Sequence, residues 1–151
     1  MDKNFYITTP IYYPSAKPHM GHAYSSIIAD FFARFKRMDG FDVHFLTGTD
    51  EHGLKIQRAA ESKNIEPLEL CNQISQTFRD LSKTLNLSNT DFIRTTEDRH
   101  KKTVQYLWSE LEKNDDIYLS KYTGWYSVSD EAYYNVDEII DKDGTKVAVT
   151  S

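Results

Sequence analysis

Two hydrophobic periods alternate along the chain. "NFYITTPIYY" (residues 4–13) is dense in β-branched and aromatic residues and reads as a buried strand. Met20, Tyr24, Ile27, Ile28, Phe31 and Phe35 then recur at helical spacing, and Gly40 supplies a stop. "DVHFLTGTDEHG" (42–53) reads as a second strand running into a glycine-containing loop. Strand, helix and strand joined by short links predict a βαβ unit, hence a parallel pair with a right-handed crossover. Further along, Pro67 suits a first helical turn, and Leu70, Ile74, Phe78, Leu81 and Leu85 carry an apolar stripe. "DFIRTT" (91–96) predicts a third, short strand. The helix after it is expected to start from a capping box at Thr95 or Thr96, with Val104, Leu107, Trp108 and Leu111 facing inward.

After Asn114-Asp115-Asp116 the texture changes to short aromatic runs with a hairpin-like Asp143-Gly144. A boundary is therefore expected near residue 118. Residues 1–118 would form the first half of a Rossmann-like α/β domain, and 119–151 the start of an incomplete β-rich insertion. Three parallel strands are half of a doubly wound sheet, with an edge strand left open and the switch point incomplete. On that count the chain is expected to be cut short.

Composition narrows the class. Hydrophobic residues at 39% and charged residues at 27% describe a globular chain with a real core, and the length of 151 residues suits one ordinary domain. The formal charge of −5 argues against a general electrostatic attraction to nucleic acid or anionic membrane. The one basic cluster, "RHKK" (99–102), reads first as a solvated helix face. No apolar run approaches the roughly 20 residues a membrane span needs. The start "MDKNFYITT" lacks the apolar stretch of a signal peptide and the Arg/Ser bias of a transit peptide. The single Cys71 leaves no internal disulfide and no multi-cysteine zinc site. A cytoplasmic protein is expected.

The chemistry concentrates in "TTPIYYPSAKPHMGHAYSSIIADFF" (8–32), where two histidines flank a glycine at the mouth of a helix. In an open α/β sheet, ligands bind beyond the carboxyl ends of the strands. Residues 10–19 form that loop, and His19 to His22 open the following helix, whose free N–H groups and dipole favour an anion. Histidines at i and i+3 share a helix face, so both ring N–H groups can point at one phosphate chain. Gly21, without a side chain, lets a flat base or ribose lie against the backbone, and Pro14 and Pro18 stiffen the approach. Phosphoryl or nucleotidyl transfer needs positioning and charge stabilisation more than proton transfer, which suits such a pair. Two other readings compete: plain surface histidines, or a metal pair completed by Asp50 or His52. Asp50 opens at the same edge and could pair with a substrate ammonium, or be an ordinary turn residue. Ile11 and Tyr13 alternate, so they can line one pocket or simply belong to the core.

"PIYYPSAKPHMGHAYSSIIADFFARFKRMDGFDVHFLTGTDEHG" and "TDFIRTTEDRHKK" (90–102) resemble the N-terminal catalytic region of methionyl-tRNA synthetases, class I aminoacyl-tRNA synthetases. His19-Met20-Gly21-His22 is similar to their HIGH signature, within the stretch Tyr12, Tyr13, Pro14, Ser15, Ala16, Lys17, Pro18, His19, Met20, Gly21, His22. The resemblance covers essentially the whole chain. It implies ATP-dependent activation of methionine to methionyl-adenylate, then transfer to tRNA(Met) in the full-length enzyme. It also implies that His19, Gly21 and His22 bind ATP, that His19 and His22 stabilise the transition state, and that Ile11, Tyr13 and Asp50 receive methionine. Magnesium would arrive with ATP.

Three departures stand out. The family's second signature, a K-M-S-K-S loop, is missing, so the isolated 151 residues are expected to be inactive without a complementing C-terminal half. Ser127 and Asp130 stand where many relatives carry zinc-binding cysteines, so no zinc is expected. Ser15 stands where relatives often have asparagine. The rival readings are a small HxGH nucleotidyltransferase, which would be complete at about this size, and a non-catalytic truncated remnant.

Overall fold

The structure, a computed structural model, describes residues 3–148. Its centre is a parallel sheet of β1 (Asn4–Thr8), β2 (Asp42–Thr49) and β3 (Asp91–Arg94), in that order, with Asn4 opposite Asp42 and Leu46 opposite Asp91. β1 is shorter than its apolar pattern because Pro10 has no N–H to offer the ladder. The chain leaves the sheet there and rejoins for one residue. Tyr12 bridges Thr49, its N–H donating to the Gly48 carbonyl at 3.0 Å. Gly48 itself must be glycine, since a Cβ would sit 2.0 Å from the Ile93 carbonyl oxygen of β3.

Helix α1 (Met20–Met38) connects β1 to β2. Its apolar stripe lies where the spacing puts it, but that stripe faces away from the sheet: Met20 is 83% exposed and Phe31 64%. The inward face carries the small residues Ala23, Ser26, Ala29 and Ala33 together with Asp30. Small side chains bring the helix close to the strands, where Ala29 and Ala33 pack with Val43 and Phe45. Asp30 fixes the helix further, accepting from the Ser88 N–H at 2.6 Å and from Arg34 Nε at 2.6 Å.

Between β2 and β3 run α2 (Leu54–Glu61) and α3 (Pro67–Thr84). α2 follows the glycine-containing loop in a stretch to which the sequence assigns no element. It is only two turns long, too short for a period to show, and its buried positions are just Ile56 and Ala60. The α3 stripe meets the sheet as its spacing predicts: Leu70, Ile74 and Phe78 form a second core cluster with Tyr12, Ala60 and Phe92.

α4 (Asp98–Lys113) departs from expectation twice. None of its residues is buried, so the inward-facing set of Val104, Leu107, Trp108 and Leu111 is exposed instead. Nor do Thr95 and Thr96 cap it. The Glu97 carbonyl accepts from His100 and Lys101, while the two threonine hydroxyls turn to the neighbouring loop 51–52. A buried carboxylate and backbone amide outcompete the helix start for those hydroxyls.

The chain separates into two compact units, residues 1–107 and 108–151. The second holds two antiparallel pairs, β4 (Trp125–Ser127) with β5 (Ala132–Tyr134) and β6 (Ile139–Lys142) with β7 (Thr145–Ala148). Asp143 and Gly144, both at positive φ, make the turn of the second hairpin as the sequence predicts. Among the described residues no helix is long and apolar enough to cross a membrane.

Candidate active site

Three loops meet at the carboxyl edge of the sheet: 9–19 after β1, 50–53 after β2 and 95–97 after β3. In the first loop Tyr12 and Pro14 turn inward, whereas Ile11 and Tyr13 face out, 38% and 40% exposed. Ile11 and Tyr13 therefore share a side and are not core. Lys55 Nζ lies 5.6 Å from the Tyr13 ring centroid.

His19 and His22 do structural work that their spacing did not reveal. His19 is the N-cap of α1, and its Nδ1 accepts from the Gly21 N–H at 3.1 Å. His22 reaches back, its Nδ1 accepting from the His19 N–H at 3.1 Å. Two imidazoles thus form a reciprocal capping box, a role usually filled by a hydroxyl and a carboxamide or carboxylate. The rings stack with centroids 3.8 Å apart. With both Nδ1 atoms used as acceptors, each neutral ring carries its proton on Nε2, as a donor free of the cap.

This arrangement revises the expected anion site. Gly21 N–H is taken by His19, and the His22 N–H is taken by the His19 carbonyl at 3.0 Å. Those two backbone amides are therefore occupied, while the imidazole Nε2–H groups stand outside the cap. Glycine at 21 has a second reason here: a Cβ would stand 2.9 Å from His19 Cε1 and displace the capping ring.

The His22 ring rests on a pedestal no local pattern announces. Tyr12 meets it edge-on at 4.7 Å and Phe78 of α3 at 5.0 Å, while Tyr12 and Phe78 stack at 5.3 Å. The Tyr12 hydroxyl contacts Ser25 and Ser26 at 2.9 Å each and donates to the His22 carbonyl at 3.3 Å. Burial pushes the His22 imidazole below its ordinary 6.5, and any proton added to the neighbouring His19 acts in the same direction. His22 is thereby kept neutral at physiological pH, which its Nδ1 must be in order to accept.

Asp50 lies at the same edge, its N–H donating to the Tyr12 carbonyl at 2.9 Å. The structure thus ties the loop carrying Ile11 and Tyr13 directly to Asp50. Behind it, Glu51 is fully buried and ion-paired to Arg94 at 2.7 Å. Burial raises the Glu51 carboxyl, but hydrogen bonds from Arg94, Thr96 and Thr49 and the Arg94 charge outweigh it, so the group lies below its ordinary 4.5. His52 faces solvent, with Nδ1 3.0 Å from the Thr95 hydroxyl. No group of three or more metal-ligating side chains occurs among the described residues, so His19, His22, Asp50 and His52 do not assemble a cation cage. Glu51 and Arg94 have no role assigned by the sequence, where Tyr12 stands only within the signature stretch and Phe78 only in the apolar stripe of α3. Only the alternation of Ile11 and Tyr13 around Tyr12 hinted that Tyr12 turns inward.

Comparison with known proteins agrees with this geometry. The family model described as tRNA synthetases class I (M) matches residues 5–144. The mitochondrial methionine–tRNA ligase of Takifugu rubripes is 50% identical over 99% of this chain, and the methionine–tRNA ligase of Listeria monocytogenes serovar 1/2a is 54% identical over 91%. A Mycobacterium tuberculosis methionyl-tRNA synthetase, solved in complex with methionyl-adenylate, superposes on 97% of the chain with a TM-score of 0.92 at 46% identity. The chain spans 26% and 21% of the two ligases and 29% of the solved chain, about a quarter of their length. The parallel sheet, the HxGH helix start and the match over nearly the whole chain lead to one assignment: this chain belongs to the class I aminoacyl-tRNA synthetases, in their methionine (M) branch.

Proposed function

We propose that this chain is the N-terminal part of a methionine–tRNA ligase, which joins methionine to AMP and passes the methionyl group to tRNA(Met). The observation that carries this reading is the pair of capping imidazoles, each with an Nε2–H donor at the mouth of α1. In the first step the methionine carboxylate attacks the α-phosphorus of ATP. One P–O bond forms, the bond to the β-phosphate oxygen breaks, and pyrophosphate leaves with that electron pair. No proton has to move, so neutral donors that grip the phosphate more tightly in the transition state suffice. His19 and His22 supply those donors. Gly21 leaves the helix mouth bare for the nucleotide. Ile11 and Tyr13 receive the methionine side chain, and Asp50 takes its ammonium. In the second step a terminal ribose hydroxyl of tRNA attacks the activated carbonyl and AMP departs.

Magnesium enters as the counter-ion of ATP and needs no cage from this chain. The Ser127–Asp130 segment offers hydroxyls and a carboxylate in place of thiolates, with the Ser127 hydroxyl 2.6 Å from Asp130 Oδ2, and we assign it no zinc. The lysine-bearing loop that steadies the departing pyrophosphate comes from further chain, in the same polypeptide or a complementing one. With these substrates the cytoplasm is the proposed compartment. Methionine-dependent ATP–pyrophosphate exchange by the protein purified from its own cell tests the assignment. Exchange that requires methionine supports it; exchange supported equally by another amino acid, or none at all, removes it.

A further inference from the structure

Glu51 is absent from the roles assigned above, yet its buried carboxylate accepts three side-chain hydrogen bonds at this edge. Its Oε1 accepts from Thr49 Oγ1 at 2.7 Å and from Arg94 Nε at 2.7 Å, and its Oε2 accepts from the Thr96 hydroxyl. Arg94 continues outward, donating through Nη2 to Asn72 of α3 at 2.7 Å. One carboxylate therefore joins the end of β2, the end of β3 and, through Arg94, helix α3.

The backbone on either side shows what this junction holds. Asp50 N–H donates to the Tyr12 carbonyl, and the next amide, Glu51 N–H, donates to Thr95 Oγ1 at 2.8 Å. Asp50 is thus clamped from both directions, toward the β1 loop and toward the β3 loop. The Thr95 hydroxyl that accepts from Glu51 also lies 3.0 Å from His52 Nδ1. A buried ion pair of this kind contributes little net stability compared with well-packed apolar residues. Its geometric effect is larger: an acceptor with three donors and a clamped backbone has one orientation.

We infer that Glu51, tied to Arg94, is a positioning residue that holds Asp50 in the geometry that receives the methionine ammonium. The inference rests on the proposed function and adds a residue to it that does not touch substrate. The prediction is a selective one, because the imidazole cap on α1 shares none of the Glu51 hydrogen bonds. In the full-length protein, Glu51→Gln keeps the side-chain size but turns an acceptor toward the Arg94 and threonine donors into a donor. The KM for methionine in pyrophosphate exchange is expected to rise about tenfold or more, with the KM for ATP within about twofold of wild type. Thr95→Val, which removes only the hydroxyl that accepts from Glu51 N–H, is expected to move the methionine KM in the same direction to a smaller extent.

A folded Glu51→Gln protein with unchanged methionine KM overturns the inference, and so does an equal rise in both KM values. Should Glu51→Gln fail to fold, Thr95→Val decides alone: an unchanged methionine KM overturns the inference, and a selective rise supports it. A wild-type protein without methionine-dependent exchange removes the functional reading itself, a result distinct from either.

Discussion

At the scale of single residues, the proposed function gives the histidine pair a second task beside capping. Capping fixes each ring and its tautomer, and leaves the opposite nitrogen of each ring outside the cap. Replacing His22 by Ala removes the group that closes the His19 N–H and, under the proposed function, one phosphate donor. In the full-length enzyme, adenylate formation is expected to fall about tenfold or more, corresponding to about 1.4 kcal/mol of transition-state stabilisation. Unchanged exchange kinetics would take His22 out of the phosphate role. Glu51 leads to a pH prediction. Its carboxyl lies below 4.5 in the folded state, so unfolding takes up a proton as the pH falls through that region. The contribution of Glu51 to stability is complete above the unfolded value and is lost as pH drops from about 4.5 through the lower folded value. Urea unfolding at a series of acid pH values should show this slope in wild type and a shallower one in Glu51→Gln. Equal slopes would mean that the carboxylate is not held as the hydrogen bonds indicate.

At the scale of elements, α1 is the clearest case of a pattern read correctly and oriented only by the fold. Its large apolar residues and its small ones lie on different sides, and the small ones meet the sheet. Ala33 is fully buried, so Ala33→Leu must push α1 off Val43 and Phe45, at an expected cost of about 1–3 kcal/mol. Phe31→Ser, on the exposed side, is expected to change the stability of the 151-residue chain by no more than about 0.5 kcal/mol. Chemical denaturation of the two variants measures both, and the reverse order would mean that the helix is turned the other way. α2 and α4 teach the complementary lesson. α2 is too short to display a period, and α4 displays a helical period with no buried residue behind it. Periodicity reports a helix; burial depends on what is packed against it.

At the scale of the whole molecule, the proposed function gives this chain one half of a phosphate grip. It spans about a quarter of its relatives' length, and its 151 residues contain no K-M-S-K-S sequence. The pure 151-residue chain is therefore expected to show no methionine-dependent ATP–pyrophosphate exchange, whereas the full-length protein shows it. Exchange by the short chain at a rate comparable with the full-length enzyme would mean that the histidine turn alone suffices for adenylate formation.

The sequence by itself determined the three strands, the helices α1, α3 and α4 between and after them, the parallel pairing, the helix start at His19 and the family. Each of these rests on periods and chemistry confined to neighbouring residues: alternation in β2, the i,i+3 histidines, a proline at the start of α3, an Asp-Gly turn. Tertiary structure alone decided which face of α1 turns inward, that α4 buries none of its own, and that Thr95 and Thr96 serve loop 51–52 in place of a helix cap. It also decided that Tyr12 and Phe78 prop His22 and that Glu51 meets Arg94. The physical reason is separation along the chain. Glu51 and Arg94 lie 43 residues apart, and no local period or propensity couples positions that distant until β2 and β3 pair and bring them to one edge.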